Sequence, residues 1–128
     1  MDYAKPEVLV DSSVWIDFFR GEDTEEVERL RAVLERGAAG WSDMIQLEIV
    51  NHCGSERQLS LIRELRENVL CFHATPRIWG LAFELAKKAR ACGLSIPSTD
   101  LLIYATGVGN HLKLLHNDKH LRWLEEMG

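Results

Sequence analysis

Three short apolar segments constrain this fold most: Val8-Leu9-Val10, Asn68-Val69-Leu70-Cys71-Phe72 and Leu112-Lys113-Leu114-Leu115. None shows the apolar–polar alternation of a strand with one face in water, so each reads as a strand covered on both faces. Strands of that kind pair in parallel and need long, usually helical, crossovers. The intervening stretches supply them. Val14 to Phe19 is apolar and ends at Gly21. Thr24 precedes Val27, Leu30, Val33 and Leu34 at helical spacing, and Gly37 and Gly40 are expected to close that helix. Ser42 or Asp43 is suited to cap a helix through Ile49 and Val50 into Asn51-His52, broken at Gly54-Ser55. Leu59, Ile62 and Leu65 mark a further helix. Pro76 opens a long one in which Ile78, Trp79, Ala82, Leu85, Ala86 and Ala89 share a face. Ser98 is expected to cap a helix through Leu102 and Ala105 that ends near Gly107 or Gly109. Asn117-Asp118 then turns the last apolar segment into a helix carrying Leu121, Trp123 and Leu124. The pattern predicts one α/β domain over residues 1–128: a small parallel β-sheet flanked by helices on both faces, with right-handed crossovers.

In such a sheet, ligands bind beyond the carboxyl ends of the strands, and the acids gather there. Asp11 directly follows the first apolar segment. As a helix cap it would contribute roughly 1 kcal/mol, but Ser12 and Ser13 suit that task equally. Asp118 follows the last segment, with Asn117 as an equally good cap beside it. Asp100 lies in the first turn of its helix, where the helix dipole favours an acid. The apolar run Leu101-Leu102-Ile103 follows at once and sends that helix into the core. Glu48 shares a helix face with Met44, Ile45 and His52, and an ionised carboxylate on an apolar face is costly unless paired or metal-bound. Four such oxygen donors suit Mg²⁺ or Mn²⁺, with substrate phosphate completing the coordination. The Ser13 hydroxyl is placed to hold a water or a phosphate at the edge, and His52 is a candidate support for Glu48.

Composition bears on the partner. The 128 residues carry a net charge of −5, which would ordinarily disfavour nucleic acid. A bound divalent cation inverts that local field. The 46% hydrophobic content and four Trp exclude disorder. No apolar run approaches the ~20 residues of a membrane-spanning helix. Met1 to Pro6 lack the apolar stretch of a signal peptide, so a cytoplasmic protein is expected. Cys53, Cys71 and Cys92 have no metal-knuckle spacing and are expected to be buried or half-buried thiols.

The runs Val8-Leu9-Val10-Asp11-Ser12-Ser13-Val14-Trp15-Ile16, Leu47-Glu48-Ile49, Ile96-Pro97-Ser98-Thr99-Asp100-Leu101-Leu102-Ile103 and Leu115-His116-Asn117-Asp118-Lys119-His120-Leu121 resemble the PIN-domain ribonucleases. More narrowly, they resemble the VapC-type toxins of toxin–antitoxin pairs. The resemblance spans almost the whole chain, and departs from the usual pattern at His116, where Thr or Ser is common. It implies a PIN-like fold and a Mg²⁺- or Mn²⁺-dependent endoribonuclease that hydrolyses tRNA or rRNA with a metal-activated water. By motif match Asp11, Glu48, Asp100 and Asp118 take the acidic, metal-holding positions. The resemblance further implies a homodimer, a cognate antitoxin partner, and cleavage that leaves a 3′-hydroxyl. No histidine pair is evident for acid–base chemistry through the RNA 2′-hydroxyl.

His111, His116 and His120 read as loop and surface residues. Lys87, Lys88 and Arg90 read as a solvated helix face. Trp15, Phe18, Phe19 and Trp79 read as core or partner surface. Two other readings remain: a non-catalytic PIN-like scaffold, and a phosphoacceptor receiver domain. The second wants an adjacent acidic pair after the first strand, where only Asp11 stands.

Overall fold

The computed structural model describes residues 6–128. The absence of a signal peptide was read largely from residues 1–5, which lie outside the described residues. The elements run β1 (Val8–Val10), α1 (Ser12–Phe19), α2 (Glu25–Glu35), β2 (Ala39–Ser42), α3 (Asp43–His52), α4 (Glu56–Leu65), β3 (Leu70–Phe72), α5 (Pro76–Ala91), α6 (Ser98–Gly109), β4 (Lys113–Leu115) and α7 (Lys119–Met127). The four strands are all parallel, in the order β3-β2-β1-β4. The chain steps outward from β1 to β2 and β3, then crosses back to β4 on the opposite side of β1. The switch point therefore falls between β1 and β4, where parallel sheets place their ligands.

The pairing register sorts the side chains onto two faces. Leu9 pairs with Gly40 and with Leu114 and shares their face. Helix α6 covers that side: a Cβ on Gly107 would stand 3.0 Å from Leu114 and 3.7 Å from Leu9. Val10 and Trp41 face the other way, where α1 lies. Trp15 of α1 is fully buried, sits 5.0 Å from the Trp41 ring, and donates its indole N–H to the Val10 carbonyl at 2.9 Å. That bond fastens α1 to the last residue of β1, directly before Asp11.

Strand β2 corrects the sequence reading, which used Gly37 and Gly40 only to end a helix. Gly37 does end α2, at φ +66°, but Gly40 lies inside a fully buried strand. Ala-Gly-Trp-Ser has little intrinsic strand preference, and pairing on both sides makes it one. Glycine is required at position 40 because a Cβ there would come 2.7 Å from the Phe72 ring.

Smaller corrections follow from packing. Strand β3 is shorter than expected and lies at the sheet edge, with Leu70 53% exposed. Pro97, not Ser98, occupies the cap position of α6, and no side chain bonds there. Trp79, expected on the buried face of the long helix, is 44% exposed; the fully shielded positions of α5 are Ile78, Ala82 and Ala89. Cys53 is buried and Cys71 half-buried, but Cys92 is exposed, because it ends α5 beyond its last buried residue. Among the described residues, no helix is long and apolar enough to cross a membrane.

Candidate metal centre at the carboxyl edge of the sheet

Asp11 is the first residue after β1 and the N-cap of α1, and only 3% of it is exposed. Its Oδ2 accepts from the Ser13 backbone N–H at 3.1 Å and from the Ser13 hydroxyl at 2.7 Å. Its Oδ1 is buried with no hydrogen-bond partner. The Asp11 N–H donates to the Leu115 carbonyl at 2.9 Å, tying the ends of β1 and β4 together. Ser13 is therefore a positioning group: besides donating to Asp11, its Oγ accepts from the Asn117 N–H at 3.1 Å.

Asp118 caps α7, its Oδ1 accepting from the N–H groups of His120 and Leu121 at 2.8 and 3.0 Å. It takes the capping role that Asn117 was equally suited to fill. Asp100 is in the first turn of α6 and is 8% exposed. Glu48, on the middle of α3, is half-buried and accepts from the Ser12 hydroxyl at 3.1 Å. The neighbouring hydroxyls of Ser12 and Ser13 thus each hold one carboxylate.

The four acids, 11, 48, 100 and 118, are electrostatically one group. Burial pushes the Asp100 carboxyl up to about 7, helped by the negative charges of Asp118, Asp11 and Glu48. Burial also raises Asp11, opposed by the Ser13 hydrogen bonds and reinforced by Asp118. Glu48 is raised mainly by burial, with the Ser12 hydrogen bond and then Asp11 as weaker influences. His52 is exposed, and its only link to Glu48 is weak charge attraction, without a hydrogen bond or ion pair.

Two histidines set aside as surface residues belong here. His120 Nδ1 is 3.4 Å from Asp100 Oδ2 and 3.7 Å from Asp118 Oδ1. The ligand atoms of these three residues lie within 4.8 Å of one another. The spacing Asp118-x-His120 carried the signal: a residue two after an N-cap stands in the first turn, at the mouth of the site. His116 has only 8% of its side chain exposed. Its Nδ1 accepts from the Asp118 N–H at 3.2 Å and its Nε2 faces Glu125 Oε1 at 2.6 Å. The Nδ1 acceptor role places the proton on Nε2. His116 therefore supplies a supporting hydrogen bond at the position where the family pattern commonly has Thr or Ser.

The residues fit a hard divalent cation. The donors are carboxylate oxygens, the ligand type hard cations take, with one imidazole at the rim. The buried Asp11 Oδ1 has no protein donor, as an oxygen reserved for an ion would. A cation would also relieve the mutual repulsion that raises Asp100. The N-termini of α1, α6 and α7 all converge on this edge and favour anionic groups.

Comparison with known proteins agrees with this architecture. The family model described as PIN domain matches residues 8–126. Among solved structures, VapBC-1 from nontypeable Haemophilus influenzae is similar at a TM-score of 0.73 and 20% identity, covering 93% of this chain and 92% of that one. VapBC2 from Rickettsia felis, bound to a DNA fragment from its promoter, is similar at 0.72 and 14%, covering 87% and 86%. FitAcB from Neisseria gonorrhoeae is similar at 0.69 and 19%, covering 93% of each chain. Comparison with curated proteins finds no match.

Proposed function

This chain belongs to the PIN domain family, and on that premise we propose that it is a VapC-type toxin, a metal-dependent endoribonuclease held in check by a cognate antitoxin. The observation that carries the reading is the buried, unpartnered Oδ1 of Asp11 at the β1/β4 switch point, among three further carboxylates. A structural cap would be satisfied on both oxygens or open to water; this one is neither. Asp11, Asp100 and Asp118 are assigned to hold Mg²⁺ or Mn²⁺, with Glu48 completing the set. Family membership sets aside the receiver-domain reading.

When bound, the ion supplies a Lewis acid that stabilises charge on a phosphoryl oxygen and makes water nucleophilic at neutral pH. The protein's own part is positioning. Ser13 fixes Asp11 through Oδ2 and leaves Oδ1 without a protein partner. Ser12 holds Glu48. His116 steadies the backbone of Asp118, whose Oδ1 is committed to capping α7 and whose Oδ2 is available. His120, at the rim between Asp100 and Asp118, is placed to meet a substrate phosphate. The converging helix N-termini offset part of the negative charge that would repel an RNA backbone. Both His116 nitrogens are engaged, so among the described residues His120 has no second free imidazole beside it at the site. This favours hydrolysis to a 3′-hydroxyl over a path through the RNA 2′-hydroxyl.

The substrate class is RNA, with tRNA or rRNA as first candidates, and the working assembly is a cytoplasmic homodimer of one domain per chain. The VapBC names of similar structures support an antitoxin partner. The test is cleavage of a panel of whole tRNAs and rRNA fragments by antitoxin-free protein in Mn²⁺, Mg²⁺ or EDTA, beside Asp100→Asn. Metal-dependent cutting that the variant loses supports the reading. Equal cutting by both proteins removes Asp100 from the site. Metal binding without cutting of any RNA in the panel favours the scaffold reading.

A further inference from the structure

A second group of ligand-type side chains stands at the β2–β3 edge, outside the four-acid cluster. Parallel pairing aligns Trp41 with Cys71 and Ser42 with Phe72. One residue beyond the end of both strands, Asp43 meets His73. Cys71 on β3 and His73 just past its end both reach Asp43. Their side chains meet at Asp43: His73 Nδ1 lies 2.6 Å from Oδ2, and the Cys71 thiol donates to Oδ1 at 3.4 Å. The three ligand atoms are within 4.8 Å of one another. Behind them the Gln46 amide N–H donates to Cys71 Sγ at 3.2 Å, and its Oε1 accepts from Arg66 at 2.9 Å. The group borders an open groove of about 560 Å³, also lined by Trp41 and Arg66.

We propose that Asp43, Cys71 and His73 form a second metal site, for a borderline divalent transition ion of the Zn²⁺ class, with its fourth position open to the groove. One sulfur, one imidazole nitrogen and one carboxylate oxygen make a donor set that Zn²⁺ accepts and Mg²⁺ does not. Around a tetrahedral Zn²⁺, sulfur and oxygen ligands stand about 3.6 Å apart, and nitrogen and oxygen about 3.4 Å. The two contacts fall on different oxygens of the Asp43 carboxylate, so seating an ion requires that carboxylate to turn and the His73–Asp43 pair to open by under about 1 Å. Both side chains are largely exposed, 72% and 66%, so that rotation disturbs little packing. Without an ion, the three groups close onto one another by hydrogen bonds. Binding displaces the thiol proton and clamps the edge strand to the first residue of α3. Ligand chemistry thus sorts the ions: hard cations to the four-acid cluster, borderline ones to this edge.

The test is Co²⁺ titration of the reduced, metal-free full chain, read by the near-ultraviolet thiolate-to-cobalt absorption, with Zn²⁺ competition for affinity. The band should saturate near one equivalent, persist in Asp100→Asn and vanish in Cys71→Ser. His73→Ala should weaken Zn²⁺ by about tenfold or more. No thiolate band at stoichiometric Co²⁺, or a band that survives in Cys71→Ser, would overturn the proposal. If circular dichroism shows Cys71→Ser misfolded, His73→Ala decides, and unchanged Zn²⁺ affinity there overturns it equally.

Discussion

Replacing Asp100 by Asn should stabilise the metal-free protein at pH 8, although it removes an acid from the first turn of a helix. Ligand oxygens of Asp100 and Asp118 stand within 4.8 Å. At about that separation two unit charges repel by roughly 1 kcal/mol in water and roughly 3.5 kcal/mol at an effective dielectric of 20. Loss of the helix-dipole interaction costs about 0.3–1 kcal/mol. The net expectation is a gain of about 1–2 kcal/mol, or roughly 4–8 °C in Tm for a domain of this size. The pH dependence has a definite sign. Burial and the neighbouring acids push the Asp100 carboxyl up to about 7 from its ordinary 3.8, so the folded state binds more protons between those values. Its favourable contribution is complete below about 4, falls as pH rises, and has become a full penalty above about 7. At pH 5 the folded-state carboxyl is protonated while the unfolded one is already ionised, so the advantage of Asn should shrink there and disappear only below about 4. Saturating Mn²⁺ at pH 8 should invert the order, since ion at about 100 times its Kd adds roughly 2.7 kcal/mol to the protein that binds it. Differential scanning fluorimetry in EDTA at pH 5 and pH 8, then with Mn²⁺, reads all three. An Asn variant less stable than wild type by the same margin at both pH values, with or without ion, would refute the reasoning and leave Asp100 as an ordinary helix-terminal acid.

Other expectations follow from single contacts. Ser13→Ala frees Asp11 Oδ2 and the Asn117 N–H, and a hydrogen bond to a charged group is worth roughly 1.5–3 kcal/mol; kcat/KM for RNA should fall by about tenfold or more, while calorimetry finds unchanged metal stoichiometry. Trp15→Phe keeps most of the ring packing but removes the indole donor to the Val10 carbonyl, so urea denaturation should show a loss of about 0.5–1.5 kcal/mol. Gly40→Ala drives a methyl group into the Phe72 ring and should cost about 1–3 kcal/mol, with Phe72→Leu restoring part of it in the double variant. His120→Ala removes the imidazole at the rim between Asp100 and Asp118 and should lower kcat/KM for RNA with metal stoichiometry unchanged, and cleavage equal to wild type would remove it from the site.

The fold class was legible because buried parallel strands and amphipathic helices write different periods into the chain. Helix starts were legible for the same local reason: Thr24, Ser42 and Asp118 each cap the helix that follows them. Asp11 and Asp118 could be placed because each sits at the end of an apolar segment, and strand ends are where parallel sheets bind ligands. His120 was not placed, because its neighbour Asp100 is brought to it by the crossing of α6 and α7, which no local spacing records. His116 was misread as exposed because its shielding depends on Glu125, nine residues away, folding back along α7.

What the sequence determined by itself was therefore what one segment can specify: which stretches are apolar throughout, where helices begin, and which acids stand beside strand ends. What tertiary structure alone decided was pairing. Strand β2 exists because β1 and β3 hydrogen-bond it from both sides, against the weak strand preference of Ala39 to Ser42. The same register brings Asp43 to Cys71 and His73 across nearly thirty residues of chain. The Asp11 carboxylate, a plausible cap in the sequence, becomes half satisfied and half orphaned only when α1, β4 and α6 close around it. A residue's type sets which bonds it can make; packing between distant segments sets which of them it does make.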